Sequence, residues 1–378
     1  MIPVSEPFLG NREIEYVTEC VRTGWVSSEG RFIPAFEEAW AEYCGRRHGI
    51  AVCNGLVALQ LALAALDLQP GDEVIMPAFT IISCALAVVY AGGTPVLVDS
   101  DPMTCTLDPA QVAERITPRT RAIMAVHLYG HPADMDCILQ VAQKHGIAVI
   151  EDAAESHGAE YLSGRAGHQP VWKKCGSFGT YSAFSFYANK VITTGEGGMV
   201  LVDDLRDAEK LRSLRNLCFQ SGRRFWHEDL GYNFRMTNMQ AALGLAQIER
   251  VDEIVAKKRW IGAQYTDRLK AIPHLRLPVE RPWARSVFWM YGVVLDESSG
   301  MDAVEFAKAL AARGVQTRPY FLGMHEQPVF RRRGWFQSDS FPVAERLARQ
   351  GLYLPSGTAL SAEQIDSVAA HVKEILQP

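Results

Sequence analysis

A single lysine interrupts one of the most apolar segments of the chain. Residues 181–200 read YSAFSFYANKVITTGEGGMV, so Lys190 follows several aromatic residues and precedes a glycine-rich stretch. Burial among such side chains removes water from the amine and lowers its pKa, which leaves more of it neutral and nucleophilic. The segment therefore predicts a desolvated amine with a lowered pKa.

A pair of acids ends a second apolar segment. Residues 147–158 read IAVIEDAAESHG, and Glu151 and Asp152 stand at the end of its predicted strand. In open α/β sheets, ligands bind at the carboxyl ends of the strands, so an acid there is a candidate ligand contact. From this stretch alone, a solvated loop acid or a helix N-cap is the simpler interpretation.

A third segment offers backbone donors to an anion. Asn54 and Gly55 begin a predicted helix directly after a strand-like run, and the first N–H groups of a helix are free to bind a phosphate. An amine, a strand-end carboxylate and a phosphate cradle together fit pyridoxal phosphate. Lys190 would form a Schiff base with that cofactor, and the carboxylate would keep the pyridine nitrogen protonated.

These residues require a sheet that brings strand ends together. From about residue 54 to residue 202, short apolar runs alternate with helix-like segments, which predicts a mostly parallel α/β sheet covered on both faces. The predicted strands cover 73–76, 95–98, 122–126 and 148–150, and the predicted helices cover 56–66, 82–90, 109–116 and 135–145.

The pattern changes beyond residue 235. A long helix over 238–269, a strand-like segment over 287–295 and helices over 303–313 and 363–376 predict a smaller second α/β lobe. We therefore expect a large domain over 1–240 and a connecting helix with a small domain over 241–378. The first twenty or so residues are expected to pack on the small lobe.

Composition excludes several classes of protein. The 378 residues are 48% hydrophobic and 21% charged, as in an ordinary globular protein with a sizeable core. The net charge of −5 gives no reason to expect nucleic acid or an acidic membrane as a partner. No apolar run is long enough to span a bilayer, and no signal peptide is visible. Eight scattered cysteines favour a reducing, cytoplasmic location and argue against structural zinc, so no metal is expected.

The chain resembles the sugar aminotransferases of the DegT/DnrJ/EryC1/StrS family along almost its whole length. The resemblance rests on WVSSEGRFIPAFE (25–37), PGDEVIMPAFT (70–80), HLYGHPADMD (127–136), IEDAAESHGA (150–159), FSFYANKVITTGEGGM (184–199) and GYNFRMTNMQAALGLAQIERVDE (231–253). It implies the fold type I architecture of aspartate aminotransferase, with a large, mostly parallel, seven-stranded sheet domain and a smaller C-terminal α/β domain. The implied cofactor is pyridoxal 5′-phosphate.

The resemblance also implies roles for residues around the cofactor ring. Lys190 would form the Schiff base and then carry the proton between cofactor and substrate, and Asp152 would pair with the pyridine nitrogen. Ala154 would pack on one ring face, and Glu155 would contact the ring hydroxyl. Ile81 stands where relatives commonly place an aromatic residue that stacks on the ring, and an aliphatic side chain gives up about 1 kcal/mol of stacking.

The resemblance also implies which residues hold the phosphate group of the cofactor. Gly55, the N–H group of Leu56 and Ser185 would hold the phosphate, and Asn233 would reach it from a partner subunit. The active unit is therefore expected to be a homodimer with shared active sites. Relatives commonly carry a threonine at Leu56 and an asparagine at Leu86, so both changes make the pocket of this chain more apolar.

Within the family, the chain resembles enzymes that aminate GDP-4-keto-6-deoxymannose at C4 with L-glutamate. The implied substrate-side residues are Trp25, Ser28, Arg235, Tyr320 and His325. Two of them have a second interpretation: a plain turn for Ser28 and its neighbours, and a structural role for Arg235. His157 is interpreted as a core histidine rather than a substrate contact.

Three further matters stay open at the level of sequence. The insertion at 168–175, which includes Trp172, Lys173 and Lys174, is either a nucleotide contact or, as we favour, a surface hairpin or subunit contact. The substrate is alternatively a dTDP- or UDP-linked keto-sugar, aminated at C3 or C4, or a cyclitol ketone. A non-catalytic binding or regulatory subunit is the remote alternative, which the intact Lys190 and Asp152 oppose.

Overall fold

The computed structural model describes residues 1–165, 169–220 and 222–377. The strands are β1 (His48–Val52), β2 (Glu73–Pro77), β3 (Thr94–Val98), β4 (Thr120–Val126), β5 (Ala148–Asp152), β6 (Glu160–Ser163), β7 (Val171–Lys174), β8 (Tyr181–Ser185), β9 (Gly198–Val202), β10 (Phe219–Gln220), β11 (Arg223–His227), β12 (Leu275–Arg276), β13 (Ala284–Arg285), β14 (Tyr291–Leu295), β15 (Arg318–Pro319) and β16 (Gly351–Leu354).

The α-helices follow the same chain order. They are α1 (Asn11–Thr23), α2 (Phe32–Cys44), α3 (Gly55–Ala64), α4 (Ile82–Tyr90), α5 (Pro109–Arg115), α6 (Met135–His145), α7 (Leu205–Arg215), α8 (Asn238–Ile248), α9 (Val251–Leu269), α10 (Ala303–Ala311), α11 (Pro328–Arg331), α12 (Pro342–Gln350) and α13 (Ala362–Leu376). Among the described residues, no helix is long and apolar enough to cross a lipid bilayer.

Within the described ranges, a seven-stranded sheet has the order β1-β9-β8-β5-β4-β2-β3. The neighbours from β8 to β3 pair in parallel, and β9 runs antiparallel to both β1 and β8. The prediction of a large, mostly parallel sheet is therefore confirmed. Successive side chains of a strand point to opposite faces: Val74 and Met76 join one buried apolar cluster, and Ile75 joins another. Both faces of the sheet are covered, which explains the near-continuous apolar runs of its strands.

The register of the parallel strands places the acidic pair beside the segment that leads to the lysine. Val126 pairs with Asp152, and Asp152 pairs in turn with Ala183 on β8. The carboxyl ends of β4, β5 and β8 therefore meet at one edge of the sheet. Ser185 is the last residue of β8, so it lies at the same edge.

A smaller antiparallel sheet forms from the C-terminal third of the chain. Its order is β12-β14-β16-β15, and its side chains share an apolar cluster with α9, α10 and α13. The chain start contacts this region, since Ile2 bridges to Val315 and Ser356 donates its N–H to the carbonyl of Val4. By contrast, α1 packs on α8. The domain boundary near residue 240 stays a prediction.

Two predicted elements of the C-terminal third are wrong in extent. The helix predicted over 238–269 is two helices that part at Glu249 and Arg250, where no glycine or proline stands. Contacts with the N-terminal segment hold the break: Tyr16 donates its hydroxyl to Glu249 at 2.6 Å, and Arg250 lies over the ring of Phe8. The strand predicted over 287–295 begins only at residue 291, because Phe288 takes a positive φ of 46°.

The insertion forms a hairpin strand. Residues 171–174 pair antiparallel with β6, and the guanidinium of Arg285 lies 4.0 Å from the ring centroid of Trp172. Lys174 forms an ion pair with Glu160 at 3.1 Å. His168 lies outside the described residues. The hairpin interpretation of 171–174 is confirmed, and these residues do not line the cavity described next.

Candidate active site

A cavity of about 370 Å³ opens at the carboxyl ends of β4, β5 and β8. The predicted site residues on its wall are Gly55, Leu56, Ile81, Asp152, Ala154, Glu155, Ser185 and Lys190. They come from four separate segments of the chain, which the parallel sheet and two helix N-termini bring together. The cavity therefore unites the predicted amine, the predicted acid and the predicted phosphate cradle.

The amine of Lys190 is almost enclosed by this wall. Its side chain is 11% exposed, and Nζ lies 3.7 Å from Oε1 of Glu155. On another side, Nζ lies 3.9 Å from the ring centroid of Trp289. Burial lowers the pKa of Lys190, although the charges of Glu155 and Asp152 oppose that effect. The neutral, reactive form of the amine is thereby favoured relative to an exposed lysine.

The carboxylate of Asp152 is held in one orientation. Its Oδ1 accepts the N–H of Ala154 at 3.1 Å, and its Oδ2 accepts the thiol of Cys84, also at 3.1 Å. The Cys84 sulfur in turn contacts the hydroxyl of Thr80 at 3.3 Å. A buried carboxylate that faces a cavity is a ready partner for a cationic ring nitrogen.

Glu155 is a second acid beside the amine. Its Oε2 accepts the backbone N–H of Tyr129 at 2.8 Å. Burial raises the pKa of Glu155 to about 7, and the positive charge of Lys190 limits that rise. The carboxyl therefore changes its charge near neutral pH, within ion-pair distance of the amine.

The first turn of α3 forms the opposite end of the cavity. The side chain of Asn54 caps the helix by accepting the N–H of Val57 at 3.0 Å. The N–H groups of Gly55 and Leu56 belong to the first turn, which has no intrahelical acceptors. A Cβ atom on Gly55 would lie 2.6 Å from Cβ of Ser185, so only glycine leaves this approach open. The donors and the serine hydroxyl together suit a phosphate.

The remaining predicted residues lie outside this cavity in the single chain. Asn233 is exposed and forms a backbone bridge with Asn216, and Trp25 is 54% exposed. Ser28 and Arg235 line a separate cavity, and Arg235 donates to Asn216. Two more are packed in the interior: the ring of Tyr320 lies 4.6 Å from that of Tyr129, and Nε2 of His325 lies 3.1 Å from Glu345.

Two neighbours of the predicted residues have structural roles. His157 is buried among Trp40, Phe184 and Phe186, and burial lowers its pKa to about 3, so its interpretation as a core histidine is confirmed. Glu151 is also fully buried and points away from the cavity. Burial alone would raise its pKa, but hydrogen bonds from His127 and from the N–H groups of residues 176 and 179 lower it to about 2.

Sequence reasoning missed several residues of the wall. These are Asn189, Glu196, Trp289, Phe321 and Tyr353. Asn189 and Glu196 lie on either side of Lys190 in the sequence, so their short distance from it along the chain could have indicated that they line the same cavity. The three aromatic residues come from the C-terminal third, and no local pattern distinguishes them from core residues.

Comparison with known proteins finds one family, individual enzymes and a solved structure that this chain resembles. It matches the DegT/DnrJ/EryC1/StrS aminotransferase family over residues 7–373. It is 46% identical to GDP-perosamine synthase of Caulobacter vibrioides over 381 residues, which cover 99% of this chain and 98% of that protein. GDP-perosamine synthase of Escherichia coli O157:H7 is 38% identical over 373 residues, with coverages of 99% and 98%. The crystal structure of S. venezuelae DesV with a ketimine intermediate superimposes with a TM-score of 0.88 at 36% identity, covering 97% of this chain and 94% of that one.

Proposed function

The chain belongs to the DegT/DnrJ/EryC1/StrS aminotransferase family, and we propose that it converts GDP-4-keto-6-deoxy-D-mannose to GDP-perosamine with L-glutamate as amino donor. The observation that carries the choice of substrate is the 46% identity to a GDP-perosamine synthase along 99% of the chain. The cavity supports the reaction class, since it buries one amine beside two carboxyl groups. Such a product serves polysaccharide or glycoside biosynthesis.

The cavity fits pyridoxal phosphate, which is the cofactor of this family. The fit rests on the cradle at Gly55, which any side chain would fill, and on an amine and a carboxylate on the wall of the same cavity. When bound, the cofactor supplies a carbonyl group that amines condense with and a ring that withdraws electrons from the reacting carbon.

Each residue of the wall has a distinct task in this proposal. Lys190 would hold the cofactor through its amine, which has to be neutral to react, and would hold and return the proton of the reacting carbon. Asp152 would keep a proton on the ring nitrogen, and the hydrogen bonds from Ala154 and Cys84 keep its oxygens in position. Glu155 would contact the ring hydroxyl. The first turn of α3 and Ser185 would hold the phosphate.

We further propose that the active unit is a homodimer in the cytoplasm. Its support is that Asn233, expected at the phosphate, is exposed and outside the cavity of its own chain. A second copy would supply it across a symmetric interface. The test mixes subunits of Lys190→Ala with subunits of Asn233→Ala after both have been dissociated and reassembled. If sites are shared, half of the dimers are hybrids with one intact site each, so about a quarter of the wild-type activity returns. No recovery would refute shared sites.

The function itself is tested in two stages. Addition of L-glutamate to the protein loaded with pyridoxal phosphate should bleach the visible band of the cofactor, and Lys190→Ala should show no such band. Mass detection then follows the amination of GDP-4-keto-6-deoxymannose beside dTDP- and UDP-linked keto-sugars and a cyclitol ketone. Preference for another nucleotide would refute the substrate, whereas a stable band in glutamate would refute the amino donor.

A further inference from the structure

Trp289 contacts both the reacting amine and the backbone that carries it. Its ring centroid lies 3.9 Å from Nζ of Lys190, and the side chain is buried at the cavity wall. Its indole N–H donates to the carbonyl of Asn189 at 2.8 Å, which is the residue before the lysine. One side chain thus restrains the amine directly and restrains the position of its main chain.

A second lysine holds the backbone of Trp289. Lys258 lies on α9, is 3% exposed and does not line the cavity. Its Nζ donates to the carbonyl of Trp289 at 2.7 Å and to the carbonyl of Ser356. Ser356 accepts the N–H of Tyr291 on its hydroxyl at 3.2 Å. Lys258 therefore ties the segment that leads into β14 to the segment that follows β16. Trp289 of the first segment and Tyr353 of β16 both line the cavity.

The cost of burying this amine points to a role beyond packing. An aliphatic side chain of the same length would fill the space without removing an amine from water. Burial lowers the pKa of Lys258 to about 7, and its two carbonyl contacts use the N–H donors that the neutral amine still has. The hydrogen bonds to the carbonyls of Trp289 and Ser356 are therefore the features that an aliphatic residue could not reproduce, and the first of them reaches the residue that contacts Lys190.

We propose that Trp289 sets the proton affinity of the Lys190 nitrogen by direct contact, and that Lys258 is a positioning residue that acts on Lys190 only through Trp289. This inference rests on the proposed function, in which Lys190 is the reacting amine. The face of an indole ring attracts a positive charge, so the contact favours the protonated form of the nitrogen. The other titratable groups that face it are Glu155, Asp152, Cys84 and His157.

The experiment titrates the visible band of the protein loaded with pyridoxal phosphate, without any amino donor. The midpoint of that titration reports the proton on the nitrogen that Lys190 contributes. Trp289→Leu should lower the midpoint by about one pH unit, which is the size of a cation–π contact removed from solvent. Trp289→Phe keeps an aromatic face, so its midpoint should stay close to that of the wild type. Lys258→Met should lower it by about half as much.

The double variant Trp289→Leu with Lys258→Met should titrate like Trp289→Leu alone, because the second change has nothing left to act through. The matched control is Lys257→Met. Lys257 precedes Lys258 on α9, and its Nζ lies 3.9 Å from the ring centroid of Trp260. This control should titrate like the wild type.

Three results would overturn the inference. They are an unchanged midpoint in Trp289→Leu, an unchanged midpoint in Lys258→Met despite lower thermal stability, and additive shifts in the double variant. If Lys258→Met does not fold, Lys258→Gln, which keeps an N–H₂ donor, takes its place, and its midpoint should lie between those of Trp289→Leu and the wild type. A wild-type protein without any visible band would instead contradict the proposed function.

Discussion

Replacing Glu155 by glutamine is expected to remove a pH dependence of stability that the native protein carries. The ordinary pKa of a glutamate is 4.5, and burial raises that of Glu155 to about 7. Between these pH values the folded protein retains a proton that the unfolded chain has released. The free energy of unfolding therefore falls as the pH rises through this window, and the full loss is present above pH 7.

The magnitude follows from the two pKa values. Each pH unit between them is worth about 1.4 kcal/mol, so the full loss is about 3 kcal/mol. Glutamine keeps an oxygen that can accept the N–H of Tyr129, but it does not titrate. The free energy of unfolding of Glu155→Gln minus that of the native protein should thus increase by about 3 kcal/mol as the pH rises from 4.5 to 8.

Urea unfolding of the cofactor-free protein, followed by tryptophan fluorescence at several pH values, measures this difference. The matched control is Glu42→Gln, because Glu42 is an exposed residue of α2. A difference between Glu155→Gln and the native protein that stays constant within about 0.5 kcal/mol from pH 5 to pH 8 would refute the reasoning. It would mean that Glu155 ionises as an exposed glutamate does, despite its burial.

Substitutions at three further positions test the cavity. Gly55→Ala should weaken the binding of pyridoxal phosphate at least about tenfold, measured by fluorescence titration, because its Cβ would lie 2.6 Å from that of Ser185. Cys84→Ala should weaken cofactor binding by about 1–2 kcal/mol in the same titration and Cys84→Ser should restore it, because Asp152 needs the donor. Asn54→Ala should lower the free energy of unfolding in urea by about 1 kcal/mol through the lost cap of α3.

The sequence was most informative where a local pattern sets the structure. The strand that ends at Asp152 was predicted because β-branched apolar residues precede two acids, and α4 and α6 were predicted with their observed bounds. Chain order then placed the strand ends together, since parallel strands share one edge. The break between α8 and α9 escaped prediction because it depends on Tyr16 and Phe8, more than two hundred residues away.

The amino-acid sequence by itself determined the candidate groups, because a lone lysine in an apolar segment, an acid at a strand end and a helix start suited to a phosphate fit one cofactor when they are taken together. Only the tertiary structure decided how those groups behave. Trp289 meets the carbonyl of Asn189 across 100 residues of chain, and Cys84 meets Asp152 across 68. Proton affinities near the cavity depend on such distant contacts and on burial, and neither quantity exists until the chain has folded.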